Sequence, residues 1–129
     1  MKYLCLICAD KVMETMAPDF AAQHFEDYRE FTRDIRESGH FVSCNRLLPA
    51  DSATTVRVRQ GNVTVTDGPY VETKEQLGGY YVIEAHDLNE AIQVASHIPG
   101  AWFGCVELRP IAEDAHTLDV LGLRAGTYP

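Results

Sequence analysis

Positive charge is scarce in this 129-residue chain: 11 Lys and Arg stand against 19 Asp and Glu, for a formal net charge of −8. The cations are scattered, so the clustered Lys and Arg that grip phosphate backbones are missing and nucleic acid is excluded as a partner. Long apolar runs are missing too. Nothing approaches the ~20 consecutive apolar residues a membrane helix needs. The apolar start, Tyr3 to Cys8, is too short for a secretory core and runs into Ala9-Asp10-Lys11. We therefore expect a cytoplasmic protein with no membrane partner. The histidines lack HxH or HExxH spacing, so no metal centre is expected. Gly78-Gly79 leads into a strand and not a helix N-terminus, so there is no phosphate loop, and no cofactor is expected. A Ser-His-Asp triad has no local signature.

What is present suits one soluble domain. The apolar fraction is 46% and the charged fraction 23%, enough for a core without metal or disulfides. Four cysteines occur, at 5, 8, 44 and 105. Cys5 and Cys8 form a CxxC pattern, but an offset of three on a strand puts the side chains on opposite faces. Buried free thiols are the expected state.

Residues 2–8 read as a strand apolar on both faces, hence central in a sheet. Pro18-Asp19 opens a helix to about Ser38, with Gly39 as its stop. Phe20, Ala21, His24, Phe25, Tyr28, Phe31 and Ile35 fall within an arc of about 140° on it. Residues 41–48 form a second strand, closed by Pro49. Residues 54–66 read as a hairpin with a Gly61-Asn62 turn. That register opposes Val58 to Val65 and Arg57 to Thr66. Val56, Val58, Val63 and Val65 then share one face. A strand over 79–85 follows. Asp87 and Glu90 have capping-box spacing and start a helix with Leu88, Ala91, Ile92, Ala95 and Ile98 on one face. Pro99-Gly100 ends it, and a last strand covers 103–109.

The order β-α-β-(hairpin)-β-α-β predicts an α+β fold: a ferredoxin-like βαββαβ unit over residues 1–110 with an inserted β-hairpin. The sheet face away from the helices needs cover. We expect a homodimer in which two sheets face each other as an α/β barrel. Residues 111–129 form a C-terminal tail that packs on the domain or on the partner subunit.

Asp67 to Glu84 is the most informative stretch. It joins a Gly-Pro turn, a polar run and a Gly-Gly pivot to an apolar strand, and such loops commonly carry function. The run TDGPYVETKEQLGGYYVIEA resembles the hallmark of the DGPF-type branch of the YCII-related family, with Tyr70 where Phe is usual. The MKYLCLI start, the helix carrying Tyr28 and Phe31, Thr54-Thr55-Val56-Arg57-Val58, and Asp87-Leu88 with Glu90-Ala91 extend the likeness over about residues 1–110. The resemblance implies a ferredoxin-like fold that dimerises. It also implies a His–Asp pair in a pocket between helix and sheet, as in YciI-like members. Some relatives act on chlorinated or hydroxylated aromatics, and genes of the branch often neighbour extracytoplasmic-function sigma factors. The YciI-like histidine position matches Tyr28, with His24 one turn earlier on the same face. Asp67 and Glu72 flank the Gly-Pro turn, and either could match the acidic partner.

His24 is the candidate general base or acid, since its ordinary pKa suits proton transfer near neutrality. A histidine packed in the core is the alternative. Asp67 and Glu72 are candidates to orient it, although Asp67 could equally form the turn. Tyr28 could donate a hydrogen bond to a substrate oxygen. Lys74 could hold an oxyanion. Arg46 and Arg57 are further candidate anion contacts. Together they suggest a cofactor-free enzyme doing isomerase- or lyase-type proton transfer on a small metabolite. The alternatives are a ligand-sensing or interaction module linked to sigma-factor or stress control, and a dimer-forming structural role for the signature loop.

Overall fold

Alternation along β1, Lys2–Asp10, sets the layers: Tyr3, Cys5 and Ile7 are buried, while Lys2, Leu4 and Leu6 on the other face are half-buried. The computed structural model describes residues 1–10, 16–71 and 73–123. β1 is followed by helix α1 (Pro18–Glu37), strands β2 (Phe41–Arg46), β3 (Thr54–Arg59), β4 (Asn62–Asp67) and β5 (Glu75–Glu84), helix α2 (Leu88–Ala95), strand β6 (Gly104–Pro110) and helix α3 (Ala115–Leu121). A four-stranded sheet has the order β2-β5-β1-β6, antiparallel throughout, and β3-β4 form a separate two-stranded sheet. This mixed α+β arrangement is compatible with a ferredoxin-like fold.

Helix α1 has Pro at its N-terminus, where a missing N–H costs nothing. Gly39 (φ +82) ends it. His40 N–H donates to Ile35 O (2.9 Å) and Gly39 N–H to Arg36 O (3.2 Å), the paired bonds of a Schellman stop. Phe31 and Ile35 are buried on this helix, against Cys5, Tyr81 and Ile83 of the sheet and Ala91, Val94, Ala95 and Ile98 beyond. The core thus lies on one face of the sheet.

Several expectations are corrected. The hairpin turn is Gln60-Gly61, both at positive φ (51 and 78), and Val58 pairs with Val63, Arg57 with Thr64. The slip from the expected register is two residues, so the four valines still share a face. β5 begins at Glu75, four residues before the expected start, because the polar run pairs with Cys8–Asp10 of β1. Gly78 sits in that strand at a bulge: Ile7 pairs with Gly79 and Cys8 with Leu77. Helix α2 buries Ala91, Val94 and Ala95, while Leu88 and Ile92 are about half exposed. Asp87 accepts from Glu90 N–H (2.9 Å) as its cap, but Glu90 reaches back to His86 N–H and not to Asp87. The cysteines are free; Cys5 is buried, Cys8 and Cys44 are half-buried, and Cys105 is exposed. In the tail, α3 is capped by Asp114, which accepts from Thr117 N–H (2.9 Å), and stopped by Gly122. Ile111 N–H donates to Lys2 O (2.9 Å), which ties the start of this segment to β1. No described helix is long and apolar enough to cross a membrane.

Candidate functional site

Tyr28 stands one turn before the buried Phe31-Ile35 pair of α1, and its hydroxyl accepts a hydrogen bond from the Gly100 N–H at 3.0 Å. That N–H belongs to the 3-10 turn Pro99–Trp102 after α2, so the bond joins the first helix to the far end of the second. A Cβ on Gly100 would lie 2.5 Å from the Tyr28 oxygen and 2.6 Å from Ile7 Cγ2. Glycine is what allows the approach. Burial pushes the Tyr28 hydroxyl up to about 12, against the lowering effect of the Gly100 N–H, so Tyr28 is a proton donor throughout the physiological range. Its own hydrogen has no acceptor among the described residues.

Tyr81 behaves differently. Its hydroxyl is 2.6 Å from Thr32 Oγ1, and Thr32 donates its one hydrogen to the Tyr28 carbonyl at 2.7 Å. Tyr81 must therefore donate to Thr32, and its proton is used. Of these two stacked tyrosines, Tyr28 carries the free donor.

His24 lies one turn before Tyr28. Its ring stacks on Phe20 and meets Tyr28 and Phe103 edge-on, at centroid distances of 5.1 and 5.4 Å. Desolvation in this aromatic nest lowers its pKa, with Asp27 opposing the shift, so the imidazole is neutral at pH 7. Its Nδ1 is buried and has no hydrogen-bond partner among the described residues. The one other such side-chain atom there is Gln76 Oε1, on β5.

Both residues line the same cavity, of about 340 Å³. It opens between the start of α1, the end of β2 and the first half of β5, with Ile7, Tyr28, Leu47 and Phe103 among its apolar walls. Its size fits a small ligand. Gly79 lets β2 press close: a Cβ there would lie 2.9 Å from Asn45 O. Arg46 is at the rim, its guanidinium 5.3 Å from the Phe25 ring centroid. A larger groove, about 720 Å³, runs between α1 and α2. Of its two histidines, His40 is engaged by Ser38 Oγ (2.7 Å) and Glu90 (3.4 Å) and His97 is exposed, and among the described residues no unpartnered buried side-chain atom lines it. Among the described residues, both unpartnered buried side-chain atoms are on residues that line the smaller cavity.

The structure therefore brings His24, Tyr28 and Arg46 together. It does not bring Asp67, Arg57 or Lys74 to that cavity. Asp67 ends β4 opposite Thr54 and is exposed. Gly68 beside it is tied down by Gly68 N–H to Ala53 O and Thr55 Oγ1 to Gly68 O, both 2.8 Å. Arg57 lies over the Tyr70 ring at 5.5 Å. Lys74, largely exposed, is 4.0 Å from Asp10, which is at the cavity edge; such a pair contributes little. Glu72 lies outside the described residues. The signature segment reaches the cavity through Gln76 to Tyr81 and not through its charges. Gln76 and Phe103 were not foreseen. The polar run concealed the first, and the second comes from an element remote in sequence. No group of three or more His, Cys, Asp or Glu that could hold a metal occurs among the described residues.

The profile of the YCII-related domain matches residues 1–114. An uncharacterized protein of Rhizobium meliloti (strain 1021) is 39% identical over 88 residues, covering 67% of this chain and 71% of that one.

Proposed function

The chain belongs to the YCII-related family, and on that premise we propose that the cavity between α1 and β5 is a small-molecule site for cofactor-free proton transfer of isomerase or lyase type. The observation that carries the reading is that the two unpartnered buried side-chain atoms among the described residues, His24 Nδ1 and Gln76 Oε1, belong to residues lining one apolar cavity. Burying such atoms costs roughly 1–3 kcal/mol each, a cost that a ligand offering matching groups removes. Neutral His24 takes the proton. The free Tyr28 hydroxyl donates to the oxygen on which negative charge develops, pre-aimed by Gly100. Gln76 Oε1 accepts from a hydroxyl or amine of the ligand, and Arg46 draws anionic groups to the rim. The substrate class is a small, partly apolar and cyclic carbonyl or hydroxyl compound. Asp67 lies off the cavity, and among the described residues no carboxylate is hydrogen-bonded to His24 Nδ1.

The test is a thermal-shift screen with hydroxylated aromatics, lactones and small carboxylic acids. A true ligand raises the midpoint with concentration. For a compound that turns over, His24→Gln should cost about 100-fold or more in rate with binding retained. Unchanged turnover would remove His24 from the mechanism. A second reading, a ligand sensor tied to stress control, is favoured by the lack of a carboxylate on His24 Nδ1 among the described residues. It predicts saturable binding, weakened by Gln76→Leu, with no change in the compound.

We further propose a cytoplasmic homodimer of the DGPF branch. It is supported by Val56, Val58, Val63 and Val65, all more than half exposed on one hairpin face, and by the half-buried Leu4, Leu6 and Val82 on the sheet face away from the helices. Apolar surface of this extent marks a contact site. Gel filtration of Val58→Lys checks it. If instead Asp67→Ala or Lys74→Ala yields monomers, the signature loop itself is the interface element.

A further inference from the structure

On the sheet face away from the cavity, Cys8 of β1 stands directly opposite Cys105 of β6. The position within the ladder can be worked out. Ile111 N–H donates to Lys2 O, which makes Lys2/Ile111 a hydrogen-bonded pair. Pairs then alternate along the strands, so Leu4/Arg109, Leu6/Glu107 and Cys8/Cys105 are hydrogen-bonded too, and Pro110, which has no N–H, falls on a non-bonded position opposite Tyr3. Residues in a hydrogen-bonded antiparallel pair have Cα atoms about 5.5 Å apart. A disulfide spans Cα atoms ~4.4–6.8 Å apart, most often near this value. The two thiols influence one another's ionisation, and the Glu75 carboxylate raises both. The strands are pressed together here: a Cβ on the neighbouring Gly104 would overlap the Cys8 carbonyl oxygen. Cys105 is exposed in the single chain and lies on β6, the edge strand of the sheet, where an oxidant can reach it, whereas Cys5 is sealed in the core and Cys44 is on β2, across β5 and β1 from β6.

We propose that Cys8 and Cys105 are an oxidation site that closes to an intramolecular disulfide when the protein meets a peroxide. The chemistry balances in two steps. The Cys105 thiolate attacks one peroxide oxygen, the O–O bond breaks, and hydroxide leaves as water, giving a sulfenic acid. The Cys8 sulfur then displaces that hydroxyl as a second water, and the S–S bond forms. Two thiols are oxidised and one hydrogen peroxide is reduced to two waters. Because Cβ atoms of a hydrogen-bonded pair sit ~4.5–5.5 Å apart, wider than the ~3.5–4.5 Å a relaxed disulfide prefers, the bond forms under tension and is readily reduced. Glu75 sets the rate. Its carboxylate is the leading cause that raises the Cys105 thiol, to about 11, and so restrains thiolate formation.

The experiment treats the reduced full-length protein with hydrogen peroxide, counts free thiols, and takes intact mass and non-reducing peptide maps. The expected result is a fall from four thiols to two, a mass loss of about 2 Da as two hydrogens leave, a single peptide pair joining Cys8 to Cys105, and reversal by dithiothreitol. Cys8→Ser should stop at the sulfenic acid on Cys105. Glu75→Gln should speed closure severalfold at neutral pH, which a merely structural thiol pair would not do. Survival of all four thiols, a linkage involving Cys5 or Cys44, or disulfide-joined dimers in place of the internal bridge would overturn the proposal.

Discussion

Replacing Tyr28 by phenylalanine removes one oxygen and leaves the ring stacked on Tyr81. The structure says what that oxygen does. It is the acceptor for the buried Gly100 N–H at 3.0 Å, and the Tyr28 Oη and Ile7 Cγ2 crowd the glycine's Cα so closely that no side chain fits there. The turn is thus held against the hydroxyl and has little room to find another acceptor. An orphaned buried donor costs ~1–3 kcal/mol. A chain of 129 residues at ~2.1 cal/mol/K per residue has an unfolding entropy of ~0.27 kcal/mol/K. The expected fall in Tm is therefore about 4–11 °C. Differential scanning calorimetry on Tyr28→Phe reads it directly. A matching denaturant series should show a lower midpoint at unchanged slope, because the folded and unfolded surfaces barely change. A Tm within about 1 °C of the parent corresponds to less than ~0.3 kcal/mol and would refute the claim that Tyr28 carries the Gly100 N–H. It would also remove the reason for thinking that its hydroxyl is pre-aimed into the cavity.

Other expectations follow from single contacts. Ile83→Ala, at a fully buried position, should cost ~2–5 kcal/mol in urea unfolding, whereas Val63→Ala on the exposed hairpin face should cost under ~1 kcal/mol in the monomer. Gly104→Ala forces a Cβ onto the Cys8 carbonyl and to 2.8 Å from Ala9 Cα; both are backbone, so the β1-β6 pairing should loosen, read as lost amide protection in Leu4–Cys8. His24 should make stability fall in mild acid. Its folded pKa is depressed below 6.5 by desolvation, so the unfolded chain binds the proton more tightly; the contribution is full above pH 6.5 and is lost as pH falls below it through the folded value. Thermal midpoints of His24→Gln between pH 7 and 5 should decline less than the parent's, and parallel curves would contradict the burial of the ring.

Patterns confined to one element were readable from the chain. The position of β1 at the centre follows from an apolar run on both faces, and the stop of α1 follows from Gly39, whose αL geometry the Schellman bonds require. His24 and Tyr28 stood out because they break or cap an apolar helical stripe, and Arg46 because it closes a strand. Features decided by pairing were not readable. The Asn-Gly-like preference for turns points to Gly61-Asn62, yet sheet pairing places Gln60 at φ 51 and the turn one residue earlier. Glu75 to Gly78 look like loop by composition and are strand only because β1 offers them partners. On α2 the expected face holds at Ala91, Ala95 and Ile98, but Leu88 and Ile92 are about half exposed and Val94 is buried, so the buried face is turned from the expected one. The cavity draws its walls from several elements far apart in sequence, and nothing local marks Phe103 as belonging beside His24.

The bulge at Gly78 has a bearing on how the cavity can change over time. In an unbroken strand, alternation from Tyr81 and Gly79 would turn Leu77 toward the helices and Gln76 away. The extra residue reverses that parity, so Gln76 pairs with Ala9 on the cavity side and Leu77 with Cys8 on the far side. A one-residue slip that ironed out the bulge, setting Gly78 opposite Cys8 and Leu77 opposite Ala9, would exchange a polar wall for an apolar one while leaving every side chain intact. The polarity of this pocket is thus set by how β1 and β5 pair as much as by the residues themselves, and a chain that switched between the two registers would present two different walls to a ligand.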